Sequence, residues 1–385
     1  MKHLVILGGG FAGVWAAMAA ASQRAKHSAD DIEITLISNN EKLCIKPRLY
    51  EEPHHSMLVP LIPLMDAIKV NLLIDNVEEI VDNSSIVCRK STIYYDKLIF
   101  SLGSKIKQPE IKNNKSCLFN IDTYEASLAF NNHIQALALR NNDALKIHVI
   151  GSGFTGIELI TKLHQRYKDK VALTLIEHSD SVAKNLGESL QTDITGALKQ
   201  AKVNTLVSHT IESLEQNLIK FTNGQSYYTD AIVLSSGVIA NPLTHQISDD
   251  LDSNGRVKVK QTLQSPTNEN IFVAGDCARA KVDEIHYSLM SCQHAMPMGT
   301  YAGLNAINAL LNIPLSPYKQ DFYATCLDLG ECGAVFTQGW DRNIDKRGSD
   351  GAAMKAQINN QWIYPPSPAI GQKEIFNLIQ STFNN

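Results

Sequence analysis

The fold is decided by a stretch near the N-terminus, residues 4–13, which reads LVILGGGFAG. Its apolar run predicts a short buried strand, and its glycines predict a tight turn into a helix. The same pattern returns about 140 residues later at residues 147–156, IHVIGSGFTG. Each copy is followed by another apolar run, at residues 32–38 and at residues 171–177. We therefore predict two βαβ units, each the core of a nucleotide-binding domain.

Glycines at this spacing have a physical reason. The first permits the tight turn, the second lets the backbone approach a pyrophosphate, and the third lets the helix pack closely on the strand. The phosphates then lie at the positive end of the helix. A purely structural turn could account for one copy, but two copies in the same context favour dinucleotide binding. The candidate residues are Gly8, Gly10, Phe11, Ala12 and Gly13 in the first copy, and Gly151, Gly153 and Gly156 in the second.

The two units differ where a nucleotide ribose is expected. Glu177 ends the second strand of the second unit, roughly 20 residues after Gly156, which is the usual place for an acid that binds ribose hydroxyls. A carboxylate there favours NADH and repels the extra phosphate of NADPH. The alternative is a surface glutamate at a strand end. The first unit has Ser38 and Asn39 at the equivalent place, so a neutral side chain would have to bind that ribose.

Composition sets the broad class. The chain has 385 residues, 44% apolar and 19% charged, and a net charge of -4. These values predict a globular protein of two or three domains and argue against a nucleic-acid partner. We expect no signal peptide and no membrane span, because no apolar run approaches the roughly 18 residues that a span requires. The seven cysteines form no CxxC pair. We therefore expect reduced thiols in the cytoplasm and no metal site.

Three further motifs accompany the glycine turns: residues 95–104 (YDKLIFSLGS), 235–242 (SSGVIANP) and 271–278 (IFVAGDCA). With them, most of the chain resembles the flavoproteins with two dinucleotide-binding domains, and among these the type II NADH dehydrogenases. Residues 326–330 (CLDLG) also resemble that family. The resemblance implies FAD and NADH as cofactors. It also implies that Asp276 holds the ribityl chain of FAD.

The resemblance implies an α/β fold in which the NADH domain is inserted in the FAD domain. Both domains are Rossmann-like, and a small C-terminal α+β domain follows. We predict a discontinuous FAD domain at residues 1–112 and 252–318, an NADH domain at 113–251 and a C-terminal domain at 319–385. In that last part, short apolar runs such as 333–336 and 361–364 indicate β structure, and residues 373–379 indicate a short amphipathic helix.

The resemblance also assigns the site. It places FAD on Gly8 to Gly13 and NADH on Gly151 to Gly156, and it places Lys46 beside the flavin ring, where a cation could stabilise the negative charge of the reduced form. It places Glu158 near the nicotinamide. The alternative for Glu158 is a helix-terminal glutamate stabilised by the helix dipole. Gly103, Gly237 and Gly275, together with Asp276, complete the predicted cofactor-binding set.

Residues 290–299, MSCQHAMPMG, resemble the helix where quinone meets flavin in the type II dehydrogenases. Gln293 matches that motif, whereas Pro297 stands where the family has a second glutamine. We predict Gln293, Glu158 and Lys46 as the catalytic residues. The resemblance therefore implies NADH and a quinone-like acceptor as partners.

Disulfide reductases of this superfamily carry a CxxxxC pair early in the chain. Here Cys44 has Leu49 at the partner position, which disfavours disulfide reduction. Cys277 and Cys292 lie near motif positions, so a thiol role stays open. We favour buried, inert thiols for both.

The favoured function is an FAD-dependent oxidoreductase that takes a hydride from NADH and passes two electrons to a quinone or a similar small acceptor. One alternative is a reductase that serves a protein electron carrier or an oxygenase. Another is a binding and signalling flavoprotein similar to apoptosis-inducing factor. We expect a cytoplasmic protein with at most weak, peripheral contact with the inner face of the membrane, through residues 373–383. A homodimer is left open.

Overall fold

The computed structural model of the chain describes residues 1–81, 84–107, 117–140 and 143–384. Its strands are β1 (Lys2–Leu7), β2 (Ile32–Ser38), β3 (Lys42–Cys44), β4 (Leu58–Pro60), β5 (Asn71–Ile74), β6 (Val77–Val81), β7 (Ser85–Cys88), β8 (Thr92–Tyr94), β9 (Lys97–Phe100), β10 (Ser104–Ile106), β11 (Leu118–Asn120), β12 (Leu145–Ile150), β13 (Val171–Ile176), β14 (Asn204–Leu206), β15 (Ile211–Glu215), β16 (Leu218–Phe221), β17 (Ser226–Tyr228), β18 (Ala231–Leu234), β19 (Val238–Ala240), β20 (Val257–Lys258), β21 (Ile271–Val273), β22 (Ala278–Arg279), β23 (Ala324–Asp328), β24 (Ala334–Gln338) and β25 (Asn343–Lys346). Its α-helices are α1 (Phe11–Lys26), α2 (Ile62–Ala67), α3 (Tyr124–Arg140), α4 (Phe154–Tyr167), α5 (Glu188–Gln200), α6 (Cys292–Leu310), α7 (Gly348–Gln357) and α8 (Gln372–Asn384).

Two parallel five-stranded sheets form the core. The first has the order β21-β9-β1-β2-β5 and the second the order β11-β18-β12-β13-β14. In each sheet the strand before the glycine turn, β1 or β12, is central, with the second strand of its βαβ unit on one side. The apolar runs that predicted these strands are almost wholly buried, as expected for parallel strands covered on both faces. The predicted α/β fold class is confirmed.

The chain enters the first sheet from two distant regions. β21 pairs in parallel with β9 and completes the edge of the sheet whose other strands lie within residues 2–74 and 97–100. The strands of the second sheet all fall between residues 118 and 234. The segments that follow β9 and β18 meet each other, because β10 and β19 form an antiparallel pair. The predicted boundary between residues 112 and 113 lies outside the described residues, and the domain limits stay a prediction.

Helices α1 and α6 pack along each other over the first sheet. Their contact depends on small residues: a Cβ atom at Gly303 would lie 2.2 Å from the Ala16 carbonyl oxygen, and one at Gly299 would lie 2.1 Å from that of Ala12. Both glycines therefore allow the two backbones to approach closely. α6 starts at the predicted acceptor segment, and α1 starts at the first glycine turn. The contact between the helices therefore fixes the position of the acceptor segment relative to that turn.

The last part of the chain contains the antiparallel sheet β23-β24-β25, α7, a π-helical turn and α8. The expectation of β structure at residues 361–364 is wrong, because Ile358–Trp362 form the π-turn that continues α7. A short run of apolar residues does not distinguish a strand from a helical segment by its periodicity alone. The predicted amphipathic helix is present as α8.

The apolar face of α8 is used inside the molecule. Ile375 and Ile379 are buried in the core of the first sheet, and Gln380 donates a hydrogen bond to Ser22 of α1 at 3.1 Å. Membrane contact through this helix therefore stays a prediction, and it would have to use the face away from α1. In the ranges that the structure covers, the longest apolar helix falls short of what would cross a bilayer.

Replacing Gly303 by Ala should push α1 and α6 apart. We expect a destabilisation of about 2–3 kcal/mol, the usual cost of overpacking a close contact, measured by chemical denaturation. The matched control is Gly196→Ala in α5, where the added Cβ would meet nothing within 4 Å. That change should be neutral or should stabilise by about 0.5–1 kcal/mol through helix propensity. Equal stability of the two variants would show that the helix contact is not close-packed.

Candidate functional site

In the first glycine turn, the fold itself requires a glycine at residue 13 but not at residue 10. A Cβ at Gly13 would lie 1.8 Å from the Gly8 carbonyl oxygen, so the turn itself requires a glycine there. At Gly10, the N-cap of α1, a Cβ would meet no atom within 4 Å. The surface is therefore open at the positive end of α1, where a pyrophosphate would lie.

The second turn repeats this geometry. A Cβ at Gly156 would lie 2.0 Å from the Gly151 carbonyl oxygen, whereas a Cβ at Gly153 would meet nothing within 4 Å. Gly153 is the N-cap of α4 and has extended backbone angles that any residue can adopt. Both turns thus keep a bare backbone at the helix start for a reason outside the protein's own packing, and this fits a dinucleotide at each.

Asp276 lies at the carboxyl edge of the first sheet, just after β21. Its Oδ2 accepts a hydrogen bond of 2.6 Å from the Ser104 hydroxyl, which follows β9 through Gly103. Burial raises the pKa of Asp276, and the Ser104 hydrogen bond and the Lys46 cation partly offset that rise. Lys46 also forms an ion pair of 3.1 Å with Asp122, which follows the first strand of the second sheet. The half-buried carboxylate facing the cleft fits the ribityl chain of an FAD.

Ser38 and Asn39 are placed differently from each other. Ser38 is buried, and its hydroxyl donates to the Asn40 carbonyl oxygen at 2.7 Å and accepts from the Asn40 amide at 3.2 Å. That hydroxyl therefore stabilises the turn after β2. Asn39 is exposed at the same turn and is the better placed of the two for a ribose hydroxyl.

Glu177 is buried just after β13, and its carboxylate accepts three hydrogen bonds. Its Oε2 accepts from the amide and hydroxyl of Ser152 at 2.9 and 2.6 Å, and its Oε1 accepts from the Ser179 amide at 2.9 Å. Nδ1 of His178 lies 2.8 Å from the same Oε1. Burial alone would raise the pKa of Glu177, but these hydrogen bonds outweigh it and the pKa lies below the usual value. The carboxylate is fixed beside the second glycine turn.

Glu158 is also buried, in the first turns of α4. Its Oε1 accepts from the ammonium group of Lys355 at 2.6 Å and from the Asp328 amide at 3.0 Å. Burial raises the pKa of Glu158, and the Lys355 cation opposes that rise. The Glu158 carboxylate in turn raises the pKa of Lys355 against the effect of burial. Glu158 is therefore not a plain helix-terminal charge, since it forms a buried ion pair with the C-terminal part of the chain.

A polar cavity of about 570 Å³ lies behind this pair. Its inner wall includes Lys355, Asp328, Tyr50 and Asn359, which come from three distant parts of the chain. Asp328 binds Lys162 of α4 at 2.9 Å and accepts a hydrogen bond from the Tyr50 hydroxyl at 3.2 Å. Lys355 thus joins the lining of the cavity to the buried Glu158 carboxylate.

Gln293 packs against β23 of the antiparallel C-terminal sheet. With its amide oriented so that both ends are satisfied, it donates to the Ala324 carbonyl oxygen at 3.0 Å and accepts from the Ala324 amide at 3.1 Å. Pro297 lies inside α6 and has no N–H for the Gln293 carbonyl oxygen, which accepts instead from Gln320 at 3.4 Å. The segment is therefore tied to β23 through Gln293, the residue that matches the family motif.

The two cysteines near the motifs are held as thiols. Burial raises the pKa of Cys277 to about 12 and that of Cys292 to about 11. A thiol with such a pKa carries very little thiolate at neutral pH, and the thiolate is the reactive form. This supports the inert role that the sequence favoured.

Sequence reasoning missed four residues of the site. Lys355, Tyr50 and Asn359 had no recognisable motif of their own, although Tyr50 follows the Lys46 segment. Asp328 lies in the CLDLG segment that had been singled out for its resemblance alone. A buried lysine partner for Glu158 could not be found from spacing, because the two residues are 197 positions apart.

Gly10→Ala and Gly153→Ala test the two turns as reciprocal controls. Neither change should alter the folded state, since each added methyl group faces open space. Gly10→Ala should weaken FAD retention at least about tenfold, or ~1.4 kcal/mol, and leave the KM for NADH unchanged. Gly153→Ala should raise that KM by a similar factor and leave FAD in place. The assignment fails if Gly10→Ala retains FAD as tightly as the wild type in ultrafiltration with added chaotrope.

The lowered pKa of Glu177 gives nucleotide preference a defined pH dependence. The carboxylate stays charged as pH falls through the usual glutamate range, so the preference for NADH over NADPH should be constant between about pH 5 and 9. Glu177→Gln keeps the size of the side chain but removes its charge, and it should raise kcat/KM for NADPH about tenfold. A wild-type protein with equal kcat/KM for both nucleotides would exclude Glu177 as the discriminating residue.

Comparison with known proteins shows the family of the chain. The family described as pyridine nucleotide-disulphide oxidoreductase matches residues 2–299. An NADH dehydrogenase-like protein of Mycobacterium tuberculosis is 32% identical over 380 residues, covering 95% of each chain. A type II NADH:quinone oxidoreductase of Staphylococcus epidermidis is 27% identical over 391 residues, covering 94% of this chain and 95% of the relative.

Among solved structures, the sulfide:quinone oxidoreductase of Aquifex aeolicus shares the fold with a TM-score of 0.77 at 19% identity, over 93% of this chain and 90% of that one. The family match spans both glycine turns, Asp276 and the start of α6. The chain belongs to the pyridine nucleotide-disulphide oxidoreductase family, which confirms the predicted NADH dehydrogenase-like oxidoreductase with FAD and NADH as its cofactors.

Proposed function

We propose that the protein is an NADH:quinone oxidoreductase, which takes a hydride from NADH and delivers two electrons to a quinone or a similar small acceptor. The observation that carries this proposal is the buried Glu158–Lys355 ion pair, which joins α4, just after the second glycine turn, to α7 and the lining of the cavity. The Staphylococcus relative named as a type II NADH:quinone oxidoreductase supports the choice of acceptor.

The overall reaction explains why such a pair is useful. NADH, one proton and a quinone give NAD⁺ and a quinol, so one proton must come from solvent for every hydride that leaves NADH. FAD, when bound, supplies the group that accepts the hydride and gives up the electron pair. The protein has to orient two reactants and hold one exchangeable proton close to them.

Each predicted site residue has a role in this scheme. Asp276 and Ser104 would bind the ribityl chain, and Lys46 would place a positive charge beside the flavin. Glu177 would bind the ribose of NADH from the far side of the second turn. Glu158 and Lys355 share one proton in a buried hydrogen bond of 2.6 Å, and the cavity would bring water to them.

The acceptor would approach at the start of α6. We assign Gln293 to holding β23 beside that helix, since Ala324 satisfies its amide on both sides. The proposed domain limits remain 1–112 with 252–318, 113–251, and 319–385. Attachment to a membrane and the formation of a homodimer are likewise proposals.

Glu158→Gln should slow reoxidation of the reduced enzyme by a naphthoquinone by about 100-fold, the usual effect of losing a positioned proton donor. Reduction by NADH should change less than about threefold, since it needs no proton from the protein. Stopped-flow absorbance of the flavin separates the two half-reactions.

A single substitution also leaves Lys355 buried without its partner, which costs about 3–5 kcal/mol. The Glu158→Gln/Lys355→Met double variant serves as the control, because it removes both charges. It should recover stability but not quinone turnover. Steady-state assays with quinones, a ferredoxin and a rubredoxin then test the acceptor. Efficient turnover of a carrier protein with none of any quinone would reject the proposal.

A further inference from the structure

We propose that Tyr50 and Asn359 are positioning residues that hold Asp328 and Lys355 against Glu158, and so set the pH at which this pair exchanges its proton. The inference rests on the role proposed above for Glu158. It adds Tyr50, from the loop after Lys46, and Asn359, from the π-turn after α7.

A continuous hydrogen-bonded chain links the π-turn to Glu158. Nδ2 of Asn359 donates to the Tyr50 hydroxyl at 3.2 Å, and that hydroxyl donates to Oδ2 of Asp328 at 3.2 Å. The Asp328 amide donates to Oε1 of Glu158 at 3.0 Å. Each hydrogen bond joins segments far apart in sequence. Together they fix the relative position of α4, β23 and the loop that carries Tyr50.

Tyr50 contacts both charged partners of Glu158. It is 4% exposed, and its ring lies under the Lys355 ammonium group at 5.3 Å from the ring centroid. An aromatic face at this distance favours the charged lysine. Burial, followed by the neighbouring carboxylates of Glu158, Asp328 and Glu51, raises the pKa of Tyr50 well above its ordinary value. The hydroxyl therefore stays protonated, so that it donates to Asp328 while it accepts from Asn359.

Asn359 is held in place by the same loop. Its Nδ2 also donates to Oε1 of Glu51 at 2.9 Å, and Glu51 is bound by the guanidinium group of Arg48 at 2.7 Å. Arg48 reaches the C-terminal part a second time through the Tyr364 hydroxyl at 2.9 Å. The loop that carries Lys46 and Tyr50 is thus bound to the π-turn through Asn359 and to the segment after it through Tyr364.

One atom of Asn359 points to a function beyond these hydrogen bonds. Its Oδ1 is buried and has no hydrogen-bond partner among the described residues, although Asn359 lines the cavity. An unsatisfied buried acceptor is unfavourable, and such cases call for a water molecule or a role. A π-turn is itself a costly feature that recurs at functional sites. Both observations support a functional role for Asn359 in the wall of the cavity.

Several titratable or charged groups surround the Glu158–Lys355 pair. They come from the loop after β3, from α4, from β23 and from α6. They are Glu51, Tyr50, Lys162, Cys326, Asp328 and Cys292. Among them, only Asp328 both donates directly to Glu158 through its amide and receives the Tyr50 hydroxyl on its carboxylate. Removing that hydroxyl leaves the Asp328 charge less neutralised, and a stronger negative charge nearby favours the protonated form of Glu158.

The test is the pH profile of quinone reoxidation in the FAD-loaded enzyme, with menadione as the acceptor. In Tyr50→Phe the midpoint should move to higher pH by about half a unit or more, with the KM for NADH within about twofold of the wild type. Asn359→Leu should move it in the same direction by a smaller amount, and it keeps the test available if Tyr50→Phe does not fold. The matched control is Tyr228→Phe, whose hydroxyl also donates to a carboxylate at 3.2 Å, that of Asp230 on the second sheet. It should leave the midpoint unchanged.

A second readout is independent of turnover. The midpoint potential of the bound flavin, titrated against pH, should show a break that shifts with Tyr50→Phe and Asn359→Leu but not with Tyr228→Phe. This inference alone would fail if Glu158→Gln altered the pH profile but Tyr50→Phe and Asn359→Leu left its midpoint where it is in the wild type. A Glu158→Gln profile identical to that of the wild type would instead remove the pair from proton exchange, and the inference would fail together with that part of the proposed function.

Discussion

Strand β21 pairs with β9 at the edge of the first sheet, although the two lie about 170 residues apart in the chain. This pairing brings Asp276 to Ser104 and starts the segment that leads into α6, which then packs on α1 through Gly299 and Gly303. Closing so long a loop costs conformational entropy, which the burial of two strand edges and a helix face must offset. The first cradle therefore exists only when both parts of the chain have folded together around the second unit.

The buried Glu158–Lys355 pair imposes a similar condition on the other side of the molecule. Taking two charges out of water is unfavourable unless their geometry is good and their remaining donors and acceptors are hydrogen-bonded. Here the Asp328 amide and the Cys326 carbonyl oxygen satisfy them, at 3.0 and 2.9 Å. Tyr50 supports the same arrangement from the cofactor side. The C-terminal sheet and α7 are thus part of the site and not an appendage to it.

The family name refers to disulphides, yet the chemistry of this chain does not depend on a dithiol. Cys44 lacks a partner at the expected spacing, and burial raises its pKa to about 11. Cys326 lies beside the charged pair, and burial, more than the nearby carboxylates, raises its pKa to about 12 in spite of the Lys355 cation. Such thiols are poor nucleophiles at neutral pH. In the function proposed above, redox chemistry belongs to the cofactors, and the side chains supply position, charge and a proton.

The sequence alone determined the two glycine turns, their flanking strands and the acid at Glu177. These features follow from backbone sterics and short spacings, which act within a few residues and leave a readable pattern. Only the tertiary structure decided that Glu158 is paired with Lys355 and that Ala324 satisfies Gln293. The run at 361–364 became a π-turn for the same reason. Contacts between residues hundreds of positions apart depend on how sheets and helices pack, and no local spacing in the chain encodes them.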